Sequence, residues 1–191
     1  DCIGGNRAAD AISLKKCFYH KDYVKGFTMR LITGTTEFET TEATAISMGK
    51  FDGLHMGHQL LVNRILKKKE EGLKALIFTF DFGDRPTLLL PEERRSLLKK
   101  WGIDYLVECP FVESIAHMEA GDFVREILVK RLHVKYLAVG TDFHFGHNRK
   151  GSYKLLEAMQ EEYGFEVEVV EKACYGGEEI SSTRIRGELE Q

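Results

Sequence analysis

From residue 44 onward, short apolar runs alternate with longer segments whose apolar residues recur every three or four positions. The runs are TAISMG (44–49), LKALIFTF (73–80), YLVECPF (105–111), KYLAVG (135–140) and FEVEVV (165–170). They are rich in β-branched and aromatic residues and have the length of buried strands. Helices are predicted between them over Gly57–Glu71, Pro91–Trp101, Glu119–Leu132 and Ser152–Tyr163. The first carries Leu60, Leu61, Ile65 and Leu66 on one face, and the second has proline at its entry. Gly72, Gly102 and Gly164 follow three of them, where a left-handed residue commonly ends a helix.

Five strands separated by helices predict an α/β fold, a Rossmann-like doubly wound parallel sheet, because parallel neighbours need crossovers that are nearly always right-handed. Ligands bind beyond the carboxyl ends of such strands. The unusual stretches fall there: GKFDGLHMGH (49–58) after the first strand, DFGDRP (81–86) after the second, GTDFHFGHNRKG (140–151) after the fourth and ISSTRIRGEL (180–189) after the fifth. Four loops are therefore expected to converge on one sheet edge. Residues 1–28 keep no clear period and are read as an extension or leader, with one domain over 29–191.

Composition narrows the functions this domain can have. The 191 residues are 43% hydrophobic and 30% charged, with a formal net charge of -3. That balance suits a globular chain and argues against a general nucleic-acid or membrane-surface binder, both of which rely on excess Lys and Arg. Cys2, Cys17, Cys109 and Cys174 show neither metal nor redox spacing, and no apolar run approaches the roughly 18 residues a membrane span requires. A reducing cytoplasmic setting is expected.

Gly49, Gly53 and Gly57 let the backbone approach a ligand and leave amides available at a helix start, where the macrodipole favours an anion. His55 and His58 add two donors, neutral or cationic near neutral pH, suited to charge growing on phosphorus. Two histidines three apart also suit a metal, but zinc wants three or four protein ligands and no partner spacing is evident. They could equally be solvated loop residues. Neither G-x-x-x-x-G-K-[ST] nor G-x-G-x-x-G occurs, so a P-loop enzyme and the usual dinucleotide fingerprint are disfavoured.

In ISSTRIRGEL, Ser181, Ser182 and Thr183 precede Arg184 and Arg186 at a predicted helix start, an arrangement that can clamp an oligophosphate. The plain alternative is a capped terminal helix with two surface arginines. In GTDFHFGHNRKG, Asp142 lies between two glycines. Phe143 and Phe145 are two apart, so that one ring could face the core and the other a planar ligand, unless both are core.

On these residues the sequence resembles the FMN adenylyltransferase module of the bacterial bifunctional riboflavin kinase/FAD synthetase family, within the HxGH nucleotidylyltransferase superfamily. GKFDGLHMGHQ is similar to that family's G-x-F-D-G-x-H-x-G-H-Q, VGTDFHFGHNRKG to its V-G-x-D-F-x-F-G-x-x-R-x-G, and ISSTRIR to its I-S-S-T-R-I-R. The likeness runs from about Met29 to Leu189. It implies transfer of AMP from ATP to FMN with Mg²⁺, giving FAD and pyrophosphate. By position, His55, His58 and Arg184 would be catalytic. Gly49, Phe51, Asp52, Gly57, Gly140, Ser181, Ser182, Thr183 and Arg186 would bind ATP. Asp81, Asp142, Phe143, Phe145 and Arg149 would lie at the flavin, with no metal-ligating residue of the protein's own. The implied partners are ATP and FMN, with no nucleic acid and no membrane; oligomeric state stays open.

Two departures accompany the likeness. TFDFGDRP stands where the family usually has T-F-x-P-H-P, so Arg85 replaces the histidine before Pro86 and Phe82 the first proline. The sequence also ends at Gln191, where the family usually continues into a riboflavin kinase domain, so that domain and its activity are expected to be absent. Two other functions stay in competition. One is an HxGH transferase with another phosphorylated acceptor, the other a flavin-nucleotide binder without turnover.

Overall fold

Six parallel strands form the centre of the molecule in a computed structural model that describes residues 28–81, 83, 87–172, 174–175 and 178–179. They are β1 (Arg30–Thr33), β2 (Thr44–Met48), β3 (Lys74–Asp81), β4 (Tyr105–Pro110), β5 (Val134–Gly140) and, after a short pair, β8 (Glu166–Val170). Their order is β1-β4-β3-β2-β5-β8. β2 and β3 are buried along nearly their whole length, which is why they read as continuous apolar runs. Residues alternate between two cores: Ile46, Leu76, Phe78 and Val107 face one, Ala45, Ala75, Ile77 and Leu106 the other.

Helices cover both faces. α1 (Met56–Lys67) and α2 (Pro91–Lys100) bring Val62, Ile65 and Leu98 to one core. The segment after β4 and α5 (Tyr153–Tyr163) bring Phe123, Val124, Ile127, Leu128 and Leu156 to the other. The expected glycine stops are in place: Gly72, Gly102 and Gly164 all have positive φ. From β2 the chain winds one way to β3 and β4, and later the other way to β5 and β8. The carboxyl ends of β2 and β5 therefore bound the crevice where such sheets take their ligands.

Three expectations change. The sheet has six strands, not five, because Arg30–Thr33 pairs parallel to β4 at an edge, and its exposed residues carry no buried-strand signature. FEVEVV forms the opposite edge and is only half-buried. The helix predicted over Glu119–Leu132 consists of one short α-helical turn, α4 (Ala120–Asp122), and a π-helix over Phe123–Arg131, preceded by a separate turn, α3 (Glu113–Ala116). The Leu132 N–H donates to the Ile127 carbonyl five residues back. Phe123, Val124, Ile127 and Leu128 share the buried face of the π-helix.

A buried ion triad fastens α2 to β4. Glu108, 2% exposed, accepts hydrogen bonds from Arg94 (2.7 Å) and Arg95 (3.1 Å). Burial alone would raise its carboxyl, but the Arg95 and Arg94 hydrogen bonds outweigh burial and hold it below the ordinary range.

Candidate functional site

The turn between β2 and α1 is fixed at each residue. The Gly49 N–H donates to Phe78 (3.2 Å), Thr79 Oγ1 donates to the Lys50 carbonyl (3.3 Å), and the Leu88 N–H donates to Asp52 Oδ1 (2.6 Å). Phe51 (φ 47°) and Leu54 (φ 41°) both sit in the left-handed region, at a cost of about 1–3 kcal/mol each. Burial of both side chains holds them there. Gly53 is left-handed too (φ 80°), and a Cβ there would also lie 2.7 Å from the end of the Leu88 side chain. His55 is the N-cap of α1, no side chain caps the helix, and its first turn has no acid. First-turn amides and the positive dipole end thus face the crevice without internal competition.

The two imidazoles stack on each other at 3.8 Å between centroids, and His58 also packs on Phe51 at 4.9 Å. Gly57 permits this, because a Cβ there would lie 3.2 Å from the His55 ring. Nδ1 of both rings is buried without a hydrogen-bond partner. Burial pushes the His58 pKa down to about 3, with the neighbouring His55 adding to the shift. Burial also lowers His55, against the pull of Asp52. Both shifts favour the neutral ring over the cationic one.

Opposite stands a hairpin, β6 (His144–Phe145) and β7 (Gly151–Ser152). It is pressed onto the start of α4: a Cβ at either Gly146 or Gly151 would lie 2.7 Å from Ala120. The His147 N–H donates to the Met118 carbonyl (2.8 Å). Phe143 and Phe145 both reach the cavity lining. Two residues apart on extended chain, they face the same way, and their rings stack at 5.5 Å. Phe145 belongs to the buried core while Phe143 is partly open.

Turn and hairpin bound one cavity of about 570 Å³ at the crevice. Gly49, His55, Gly57, His58 and Gly140 line one side. Asp142, Phe143, Phe145 and Arg149 line the other. Phe51 and Asp52 lie behind the wall, one supporting His58 and the other tying the turn to Leu88. Asp81 is exposed outside the cavity lining, its carboxylate accepting from the Gly83 N–H (2.9 Å). Ser181, Ser182, Thr183, Arg184 and Arg186 lie outside the described residues, as do Phe82 and Arg85.

Sequence reasoning missed Phe80, Phe111 and Phe123, which complete the aromatic wall. Phe80 meets Phe111 edge-on at 5.3 Å and lies 6.3 Å from Phe123. Two of them sit at or just past strand ends, the signal that could have separated them from core. Lys50 and Lys172 also line the cavity. Among the described residues no three His, Cys, Asp or Glu side chains gather as a metal site. Nor is any described helix long and apolar enough to cross a membrane.

With this geometry established, comparison with known proteins is specific. The family model described as FAD synthetase matches residues 37–184. The bifunctional riboflavin kinase/FMN adenylyltransferase of Escherichia coli K12 is 34% identical over 173 residues, 84% of this chain and 55% of that protein. The Haemophilus influenzae protein of the same name is 31% identical over 172 residues, 84% of this chain and 56% of its own length. This chain thus spans about half the length of these curated relatives. A crystal structure described as a macrolide-efflux protein from Streptococcus pneumoniae superposes with a TM-score of 0.71 at 26% identity, covering 84% of this chain and 57% of that one.

Proposed function

The chain belongs to the FAD synthetase family, and from that premise we propose that it transfers AMP from ATP to the phosphate of FMN, releasing pyrophosphate and forming FAD. The observation that carries this reading is the two-ended cavity, with a glycine-lined helix start and two histidines at one end and phenylalanines at the other. Phosphate suits the first end and a planar ring system the second.

An FMN phosphate oxygen attacks the α-phosphorus in line as the bond from that phosphorus to the bridging oxygen of the β-phosphate breaks. The electron pair leaves with pyrophosphate. The attacking oxygen is already anionic, so the protein supplies position and charge stabilisation rather than a nucleophile. His55 and His58 donate to the α-phosphate oxygens. With Nδ1 buried and unpartnered, the proton is better placed on Nε2, which can meet the substrate. Arg184 is assigned a role beside them, with Ser181, Ser182, Thr183 and Arg186 on the departing pyrophosphate.

Magnesium would enter on the triphosphate, neutralising its charge while keeping most of its waters, a binding mode that needs no protein cage. Asp142, Phe143, Phe145 and Arg149 hold the flavin end. A cytoplasmic location suits both substrates.

The test is chromatography of protein incubated with ATP, Mg²⁺ and FMN, with other phosphorylated acceptors in parallel. FAD formed from FMN alone supports the reading. Flavin binding without product overturns it in favour of a carrier, and turnover of another acceptor moves the specificity elsewhere.

A further inference from the structure

At the helix-start end of the cavity, burial favours the neutral form of both histidines. Among the described residues its wall carries Lys50, Arg149 and Lys172 against Asp142 and Glu171. Arg149 belongs to the hairpin at the aromatic end. The two lysines stand at the strand ends: Lys50 follows Gly49 just past β2, and Lys172 comes two residues past β8. β5 runs between those strands, so they flank Gly140 across two strand spacings, about 10 Å. The histidine pair begins five residues beyond Lys50, on the same side.

Each lysine has a defined base. The Lys50 backbone is fixed by Thr79 on its carbonyl and by buried Phe51 next to it. Lys172 Nζ lies 3.4 Å from Asp142 Oδ2. Asp142 Oδ1 in turn occupies space that exists only because residue 140 is glycine, where a Cβ would lie 3.1 Å away. A polyphosphate carries more charge than one carboxylate, so it competes well for an ammonium on a flexible arm.

We propose that Lys50 and Lys172 bind the polyphosphate of the adenylyl donor from either side of the Gly140 strand end, next to the α-phosphate held by His55 and His58. The assignment of the anion rests on the reaction proposed above. Lys172 then shares or leaves Asp142 when donor binds, and Asp142 acts as its resting partner.

The test measures steady-state FAD formation and calorimetric binding of MgATP for the unchanged chain and for Lys50→Gln, Lys172→Gln and the double variant, with circular dichroism to verify folding. Each single change should raise the KM for ATP about tenfold and the double change about a hundredfold, with kcat within about threefold and, for Lys50→Gln, the KM for FMN within the same margin. Calorimetric affinity should fall in step, Lys50→Arg and Lys172→Arg should recover most of it, and added KCl should weaken ATP binding less in the double variant. Unchanged ATP affinity in the folded glutamine variants overturns the proposal, as does a rise confined to the KM for FMN. If the unchanged chain makes no FAD yet binds ATP through both lysines, the proposed reaction falls and the lysine assignment stands.

Discussion

The β2–α1 turn and the β6–β7 hairpin face each other across one cavity, and they differ in the balance of hydrogen bonds and packing that holds each in place. The turn uses strained backbone: Phe51 and Leu54 in the left-handed region, with hydrogen bonds to Phe78, Thr79 and Leu88 locking both flanks. The hairpin also holds two non-glycine residues, Asn148 (φ 53°) and Arg149 (φ 58°), in the left-handed region, but its anchorage is mainly contact: Gly146 and Gly151 against Ala120, and a ring stack. A polar end must fix donors to a fraction of an ångström, because the charge it meets develops at one place. An apolar end needs area and shape more than one exact direction.

The largest expected effect breaks the polar side alone. His58→Ala should lower kcat on the order of a hundredfold or more while leaving FMN affinity nearly intact, as steady-state kinetics and flavin fluorescence titration would read. Equal loss of both would mean that the two ends are not independent.

The hairpin answers to packing. Gly146→Ala places a methyl into Ala120 at a residue with φ 72° and should cost about 2 kcal/mol in denaturant unfolding, with FMN affinity falling as the wall shifts. Next comes acid. Between His58's folded pKa of about 3 and its ordinary value near 6.5, the unfolded chain holds a proton that the native ring refuses. Stability is therefore full above about pH 6.5 and falls as pH drops, by up to about 1.4 kcal/mol per unit. His58→Gln should flatten that part of the profile of Tm against pH; an unchanged slope would assign acid sensitivity elsewhere. The smallest effect is Phe143→Leu, which keeps an apolar side chain but loses the stack. It should weaken FMN binding about threefold to tenfold with kcat little changed.

The elements that sequence revealed are those whose burial follows a simple period. β2, β3 and α1 matched their patterns because their neighbours lie on the faces the pattern implies. β1 stayed hidden since an edge strand of four residues has no face to bury on one side. The π-helix stayed hidden because apolar residues do not state whether carbonyls are reached four or five residues back. At the site, the glycines and histidines were legible from spacing, while the charge state of the histidines was not. It depends on Phe51 and on the ring stack, contacts made only in the fold. Phe80 and Phe123 read as core for the same reason that they work as wall: an apolar cavity is a part of the core left open.

The place of β1 has a consequence for the order of events during synthesis. Arg30 pairs with Tyr105, 75 positions later, while β2 and β3 pair after only a short crossover. At about 5–20 residues per second, translation leaves β1 waiting roughly 4–15 seconds for its partner to be made. In that interval β2, α1 and β3 can already assemble, and β1 travels as a short strand with a cation at its head. Its brevity and exposed Arg30 keep such a strand from adhering to another nascent chain. β1 is thus made early but joins the sheet only once β4 exists, and the cavity waits longer still, because β5, the hairpin and β8 that bound it are made after that edge can close.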